Sequence, residues 1–183
     1  MATRIDTLGD IETRLWRELQ QAADTRGHDW RTMTLATHDG AMAYARTIVL
    51  REVDAKARAL VFFSDARSAK VAQMRAHELG TLLCWSSTLG WQLRLSVRLA
   101  IQTDGLAVSS RWARLKLSPA AQDYLSPLPP GSTLDSVVQP QRASRHHFAV
   151  VTAQVDAIDW LELHVEGQRR ACFDAKGASW LQP

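Results

Sequence analysis

Only two cysteines, Cys84 and Cys172, occur in the 183 residues. They stand in no Cys-x-x-Cys or other metal-ligand spacing, so neither a disulfide framework nor a cysteine-based metal centre is supported, and both thiols are expected to be reduced. Long apolar runs are missing as well. Nothing approaches the roughly 18 residues of a membrane-spanning helix. The opening MATRIDTLGDIETRL carries acids where a signal peptide needs an apolar core, which points to a cytoplasmic protein. GxGxxG, GxxxxGK[ST] and GxSxG are all absent, which removes support for a Rossmann dinucleotide site, a P-loop and a nucleophile-elbow hydrolase. Charge of one sign is scarce too: 22 Lys and Arg face 19 Asp and Glu, and a formal charge of +3 is not the composition of a nucleic-acid binder. What is present, 46% hydrophobic and 22% charged residues without repeats or low-complexity tracts, is the make-up of one globular domain over residues 1–183.

Along the chain, Ile5, Leu8, Ile11, Leu15 and Leu19 recur at steps of three or four, so an amphipathic helix is expected over 5–23, capped by Asp6 and ended by the stretch around Gly27. From Arg31 the pattern turns to short runs rich in β-branched and aromatic residues. RTMTLATHDG and AMAYARTIVLREV read as two antiparallel strands joined at Asp39-Gly40, a pair suited to a type I′ turn. ALVFFS makes a third strand. SAKVAQMRAHEL reads as a helix headed by Ser68, with Val71, Met74 and Leu79 on one side. TLLCWSS is a buried strand, and WQLRLSVRLAI alternates so that Trp91, Leu93, Leu95, Val97 and Leu99 face a core while Gln92, Arg94, Ser96 and Arg98 face water or a ligand. Two helical turns broken at Pro119 and a Pro-rich loop over 126–144 precede strands in HHFAVVTAQVDAIDWLEL, QRRACFDA and SWLQ. Closely spaced strands with few helices predict a mainly β, α+β architecture: an antiparallel barrel or sandwich with helices outside.

The chemistry concentrates between residues 45 and 70. In ARTIVLREV, alternation puts Arg46, Ile48 and Leu50 on one face and Thr47, Val49 and Arg51 on the other. In LVFFSDARSAK a strand ends at Ser64 and runs through Arg67 into the Ser68 helix, with Lys70 in its first turn. Cations at a helix start oppose the helix dipole, and an anion reverses that sign. Arg46, Arg67, Ser68 and Lys70 with open N–H groups suit a phosphate, while the plain alternative is a solvated surface.

These blocks, followed by WQLRLSVRLA, resemble successive strands of the pyridoxamine 5′-phosphate oxidase family over roughly residues 30–105. The resemblance implies an FMN-binding split β-barrel, a homodimer with FMN between subunits, and an oxidoreductase passing hydride from an unidentified small-molecule donor to the flavin, with no side chain assigned as catalytic and no metal. It further implies that Arg46 holds the FMN phosphate, that Thr47, Val49, Leu50 and Arg51 border the flavin, and that Phe63, Ser64, Ser68, Lys70 and Gln92 complete the cofactor set. Ala69 stands where a basic residue is expected, and Arg67 is taken to supply that charge. Substrate positions matching the family are Arg51, Tyr124, Ser132 and Arg170. Leu128, Cys172, His164 and Asp174 stand where it has arginine, histidine, tryptophan and arginine. Loss of a bidentate arginine argues for a relative rather than the vitamin-phosphate oxidase itself.

Other readings are a non-catalytic flavin carrier or redox sensor, a true pyridoxamine or pyridoxine phosphate oxidase, and a barrel holding a different ligand. His146-His147 lacks the i, i+4 spacing of a helical metal pair and reads as surface. Cys84, Trp85 and Trp91 read as core, whereas Trp112 and Trp160 are candidates for a dimer interface.

Overall fold

A computed structural model describes residues 4–134 and 147–183 of the chain. The first element, α1 (Leu8–Asp24), begins three residues later than the periodicity suggests, and its cap is Thr7. The Thr7 hydroxyl accepts the Asp10 N–H at 3.1 Å and donates to the Asp10 carboxylate, while Asp6 is drawn away to Arg169. Ile11, Leu15 and Leu19 are wholly buried, the stripe of an amphipathic helix laid on a core.

Eight strands follow: β1 (Thr32–His38), β2 (Ala43–Asp54), β3 (Ala59–Asp65), β4 (Leu79–Ser86), β5 (Trp91–Gln102), β6 (Phe148–Glu162), β7 (Arg169–Asp174) and β8 (Gly177–Leu181). They form one antiparallel sheet in the order β3-β2-β1-β4-β5-β6-β7-β8, and β3 also pairs with β6. That extra pairing closes six strands into a barrel, which leaves those strands no open edge. The strand that makes closure possible is β6, whose first half pairs with β3 and whose last five residues pair with β7. Between them a register shift opposite Ser96 and Val97 lets one strand serve both partners. The fold is thus a split barrel with two additional strands and a few helices.

Strand parity decides what enters the barrel. Met33, Leu35, Ile48, Leu50, Leu60, Phe62, Leu82, Leu93, Leu95 and Trp160 fill the interior together with α1. A second, smaller core gathers Val108, Trp112 and Leu115 of α3 (Leu106–Leu115) with Tyr124 around Phe148 and Val150. Trp112 and Trp160 are therefore core residues rather than interface residues. Conversely, Trp85 sits on the outward side of β4 at 44% exposure, while Trp91 and Cys84 are buried as expected.

Two local expectations change. β1 and β2 are joined by a four-residue loop, because His38 pairs with Ala43 and the Asp39 carboxylate accepts the N–H groups of Ala41 and Met42. Gly40 has φ 95°, but Asp39 is not in the left-handed region, so this is no type I′ turn. Leu79 leaves the helix and opens β4, since α2 (Ala69–Ala76) stops at His77, whose N–H bonds Gln73. Of the Pro-rich segment, residues 126–134 form an irregular run; residues 135–144 and His146 lie outside the described residues.

Candidate functional site

Arg46 is the only inward-pointing charge of β2, and the barrel holds it by neutral acceptors. Its Nη1 donates to the Leu35 carbonyl at 3.1 Å and to the Thr37 hydroxyl at 2.6 Å, and its Nη2 donates to Gln73 Oε1 at 2.8 Å. Thr37 in turn donates to the same Gln73 oxygen at 2.6 Å. Gln73 reaches this point because it shares a face of α2 with Lys70, three residues earlier. Arg46 and Lys70, with Ser68, Ala69, Asp39, Tyr44, Pro130 and Gly131, line a groove of about 590 Å³.

The electrostatics of this groove are unbalanced. Among the described residues neither Arg46 nor Lys70 has a carboxylate ion-pair partner. Burial lowers the Arg46 pKa. Burial likewise lowers that of Lys70, with the nearby Arg46 adding to the effect and Asp65 opposing it. Two partly desolvated cations beside each other destabilise the charged state of both, and an anion placed between them relieves this. Ser68 heads α2 without capping it: its hydroxyl donates to the Asp65 carbonyl at 2.8 Å and lies 3.2 Å from the Ser64 hydroxyl. The first turn of α2 thus faces the groove without a side-chain cap. At the mouth, Asp39 is held to about 2 by the N–H groups of Met42 and Ala41 and by the Tyr44 hydroxyl. This donor set fits a doubly charged phosphate group.

Arg67, expected among the phosphate ligands, has another task. It forms a fork with Asp65 at 3.0 and 2.7 Å and donates to the carbonyls of Ser126, Pro127 and Leu128. Its charge is neutralised by Asp65, whose bond raises the arginine's pKa. Arg67 therefore fastens the Pro-rich segment beside the groove, and Ala69 has no substitute from that quarter.

The remaining predicted residues are dispersed over several places. Arg51 sits where the β2–β3 register shifts between Leu50 and Glu52. It lines a different groove, of about 450 Å³, with Phe63, over whose ring its guanidinium lies at 5.7 Å. Tyr124 is close to it, and burial pushes that phenol's pKa up while Arg51 opposes the shift. Thr47 and Gln92 point to the outer face of the sheet. Directly paired residues share a face, so one row runs Thr47, Thr34, Leu83, Arg94, Asp159, Cys172 and the next runs Trp85, Gln92, Leu161, Arg170. Val49 lies on that same side, while Leu50 is buried inside.

Arg170 is committed to Asp159, with contacts of 2.9 and 2.7 Å, and Arg94 bonds the same carboxylate. Asp159 is shared by two arginines: burial works to raise its pKa, but the Arg170 and Arg94 contacts prevail and lower it. Cys172, next to this cluster, has its thiol pushed up by burial and by Asp174 and Asp159. Ser132 donates to the Pro129 carbonyl. Neither Ser132 nor Arg170 lines the two grooves.

Sequence reasoning missed Thr37 and Gln73. The i, i+3 spacing of Lys70 and Gln73 is a usable signal for the second. Thr37 carried none, because an inward threonine in a strand is read as packing.

The family described as "Pyridoxamine 5′-phosphate oxidase, FMN-binding domain" matches residues 13–103, which include Arg46, Ser68, Lys70, Gln73 and Gln92. A pyridoxine/pyridoxamine 5′-phosphate oxidase of Granulibacter bethesdensis is 31% identical over 134 residues, covering 68% of this chain and 63% of that protein. The chain thus spans less than two thirds of that relative's length. A Caulobacter vibrioides protein of the same description is 25% identical over 88% of this chain and 78% of its own. Among solved structures, a pyridoxamine 5′-phosphate oxidase-related, FMN-binding protein of Nostoc punctiforme superposes with a TM-score of 0.67 at 20% identity, covering 99% of this chain and 100% of that one. PhzG of Burkholderia lata reaches 0.73 at 15% identity, covering 96% and 92%. At those identities the two structures speak for the fold.

Proposed function

This chain is a relative of the pyridoxamine 5′-phosphate oxidase family, and from that premise we propose that it is an FMN-dependent oxidoreductase whose cofactor phosphate occupies the Arg46–Lys70 groove. FMN is the cofactor of the matching family domain. The observation that carries the placement is the pair of neighbouring cations that have no ion-paired carboxylate among the described residues. When bound, FMN supplies two-electron redox chemistry. The chain's own part is to hold and orient it. Arg46, fixed by Thr37 and Gln73, and Lys70 neutralise the phosphate. The uncapped start of α2 donates backbone N–H groups. Thr47, the backbone of Val49 and Leu50, and Gln92 border the ring from β2 and β5. Phe63 and Ser64 support the end of β3, and no side chain is assigned as an essential base.

The second part of the proposal is a homodimer of a cytoplasmic protein, formed through the outer face that carries Gln92. Leu79, Leu83 and Trp85 lie exposed on β4 beside it, at 56%, 38% and 44%. An apolar cluster of this kind marks an interaction surface, and no helix among the described residues is long and apolar enough to cross a membrane. We expect light scattering to report two copies, and the double variant Leu83→Glu, Trp85→Glu to report one and to bind FMN at least tenfold more weakly. A monomeric parent chain defeats this part.

The direct test of the cofactor is titration of the purified protein with FMN, followed by flavin fluorescence. Saturable quenching at low micromolar FMN is expected; no saturation by tens of micromolar overturns the reading. A flavin that is bound and reducible but inert toward every donor tried favours the carrier alternative. The donor itself is expected to differ from pyridoxamine phosphate, since Arg170 is neutralised by Asp159 and Leu128 brings no charge.

A further inference from the structure

The Arg46–Lys70 groove is lined by one carboxylate as well as its two cations. Asp39 shares the groove with them, yet among the described residues it forms an ion pair with neither. Its oxygens are engaged elsewhere. Oδ1 accepts the N–H groups of Ala41 and Met42 at 2.9 and 2.8 Å, and Oδ2 accepts the Tyr44 hydroxyl at 2.8 Å. The loop that carries Asp39 is closed by bonds of its own: the Asp39 N–H donates to the Met42 carbonyl and the Gly40 N–H to His38 Nδ1, each at 3.2 Å. The carboxylate is therefore fixed in place and cannot swing onto Arg46. The N–H groups of Met42 and Ala41 and the Tyr44 hydroxyl hold its pKa at about 2, so its charge is permanent at neutral pH.

Position along β2 gives this charge its meaning. Tyr44 and Arg46 stand two residues apart on one face of the strand, a separation of roughly 7 Å, and both line the groove. Thr47, Val49 and Leu50, which border the flavin ring in the proposed arrangement, follow Arg46 in the opposite direction along the strand. A phosphate seated on Arg46 and Lys70 thus has the flavin on one side and Tyr44 with Asp39 on the other. The groove, of about 590 Å³, is larger than a single phosphate group, so space alone does not bar a longer ligand. A phosphate monoester ends at this point. A diphosphate continues, and its second phosphate is carried toward a fixed negative charge.

We propose that Asp39 is a specificity-determining residue, a fixed anion at the end of the groove that admits flavins ending in one phosphate and disfavours those extended by a second, as in flavin adenine dinucleotide. The inference rests on the placement of the cofactor phosphate between Arg46 and Lys70. Selection requires a repulsive element that acts on the wrong ligand more than on the right one, and a like charge beyond the first phosphate is such an element.

The test compares FMN with FAD by calorimetric titration at about 0.01 M and about 1 M ionic strength, where charges are screened beyond roughly 30 and 3 Å. At the lower salt the parent chain is expected to bind FMN at least tenfold more tightly than FAD. Asp39→Asn, which keeps an oxygen for the Ala41 and Met42 N–H groups, and Asp39→Ser should each cut that ratio at least threefold, and at the higher salt the cut should vanish. A merely structural role for Asp39 would weaken both flavins together, lower the melting temperature and be insensitive to salt, so melting curves accompany each variant. Equal affinity of the parent for the two flavins, or a ratio unchanged in both variants at low salt, overturns the inference and leaves the FMN reading standing. Inorganic phosphate and pyrophosphate titrated into the flavin-free protein separate the two claims. Should the chain take up no FMN, the cofactor reading fails by itself. Pyrophosphate binding that gains at least threefold over phosphate in Asp39→Asn then supports Asp39 as a filter on phosphate length, and an unchanged ratio refutes it. Binding of none of the four ligands overturns both.

Discussion

Replacing Arg46 by alanine is expected to weaken FMN binding by about 10- to 150-fold, the equivalent of the roughly 1.5–3 kcal/mol that a hydrogen bond to a charged group contributes. The residue is pre-positioned by Leu35, Thr37 and Gln73, so little order remains to be imposed when a phosphate arrives. Lys70→Ala should cost about tenfold. The double variant should fall short of the product of the two, since both cations act on one phosphate and neighbouring effects do not add. Arg46→Lys should restore little, because an ammonium cannot reproduce a fork that spans Thr37 and Gln73. Gln73→Ala should show an intermediate loss, by freeing the guanidinium to wander. Fluorescence titration of each variant measures these affinities, with melting temperatures of the FMN-free proteins as the control for folding. An Arg46→Ala protein that melts like the parent and binds FMN equally well would place the phosphate elsewhere.

The barrel was legible in the sequence to the extent that strand parity is. The alternation in WQLRLSVRLAI became the buried and exposed faces of β5 without correction, because a half-buried strand writes its environment into every second residue. The closure of the sheet was not legible. It rests on β6 pairing with two strands at once, and the register shift near Asp156 that permits this leaves no mark in a run of Val, Ala and Ile. Trp85 shows the same limit from another side: one residue of offset decides whether a strand tryptophan enters the core, and no local signal fixes that offset.

The site was legible by residue type but not by partner. Arg46 and Lys70 do meet in one groove, as the order of blocks implied. Arg67 was indistinguishable from them until Asp65 and the carbonyls of residues 126–128 came into view, since a neutralised arginine and a free one are spelled alike. The same holds for Arg170 and Asp159.

The largest effect on stability is expected from Glu162. This buried carboxylate, at the end of β6, accepts from Arg4 Nε at 2.9 Å, from Arg169 Nε and Nη2 at 2.8 and 3.1 Å, and from the Trp91 indole N–H at 3.2 Å. It ties the residues before α1, the start of β5 and the start of β7 to one point. Glu162→Ala takes the shared acceptor from two cations and an indole donor, although Arg169 keeps Asp6 and Arg4 keeps the Gly167 carbonyl, a loss of about 3–5 kcal/mol for a broken buried pair. At roughly 2–4 °C per kcal/mol for a chain of this size, the melting temperature should drop by about 6–20 °C at pH 7. The pH dependence has a definite sign. Burial acts to raise the Glu162 pKa, but the bonds from Arg169, Arg4 and Trp91 outweigh it and lower the value. A carboxylate depressed in the folded state contributes stability that is fully present above the unfolded value of about 4.3 and is lost as the pH falls through the folded value. The difference between parent and variant should therefore be greatest at neutral pH and shrink below about pH 4. Melting or urea curves at pH 7 and pH 3 give the comparison, and a difference that stays constant across that range would show that packing around Trp91, rather than the charge of Glu162, holds these three segments together.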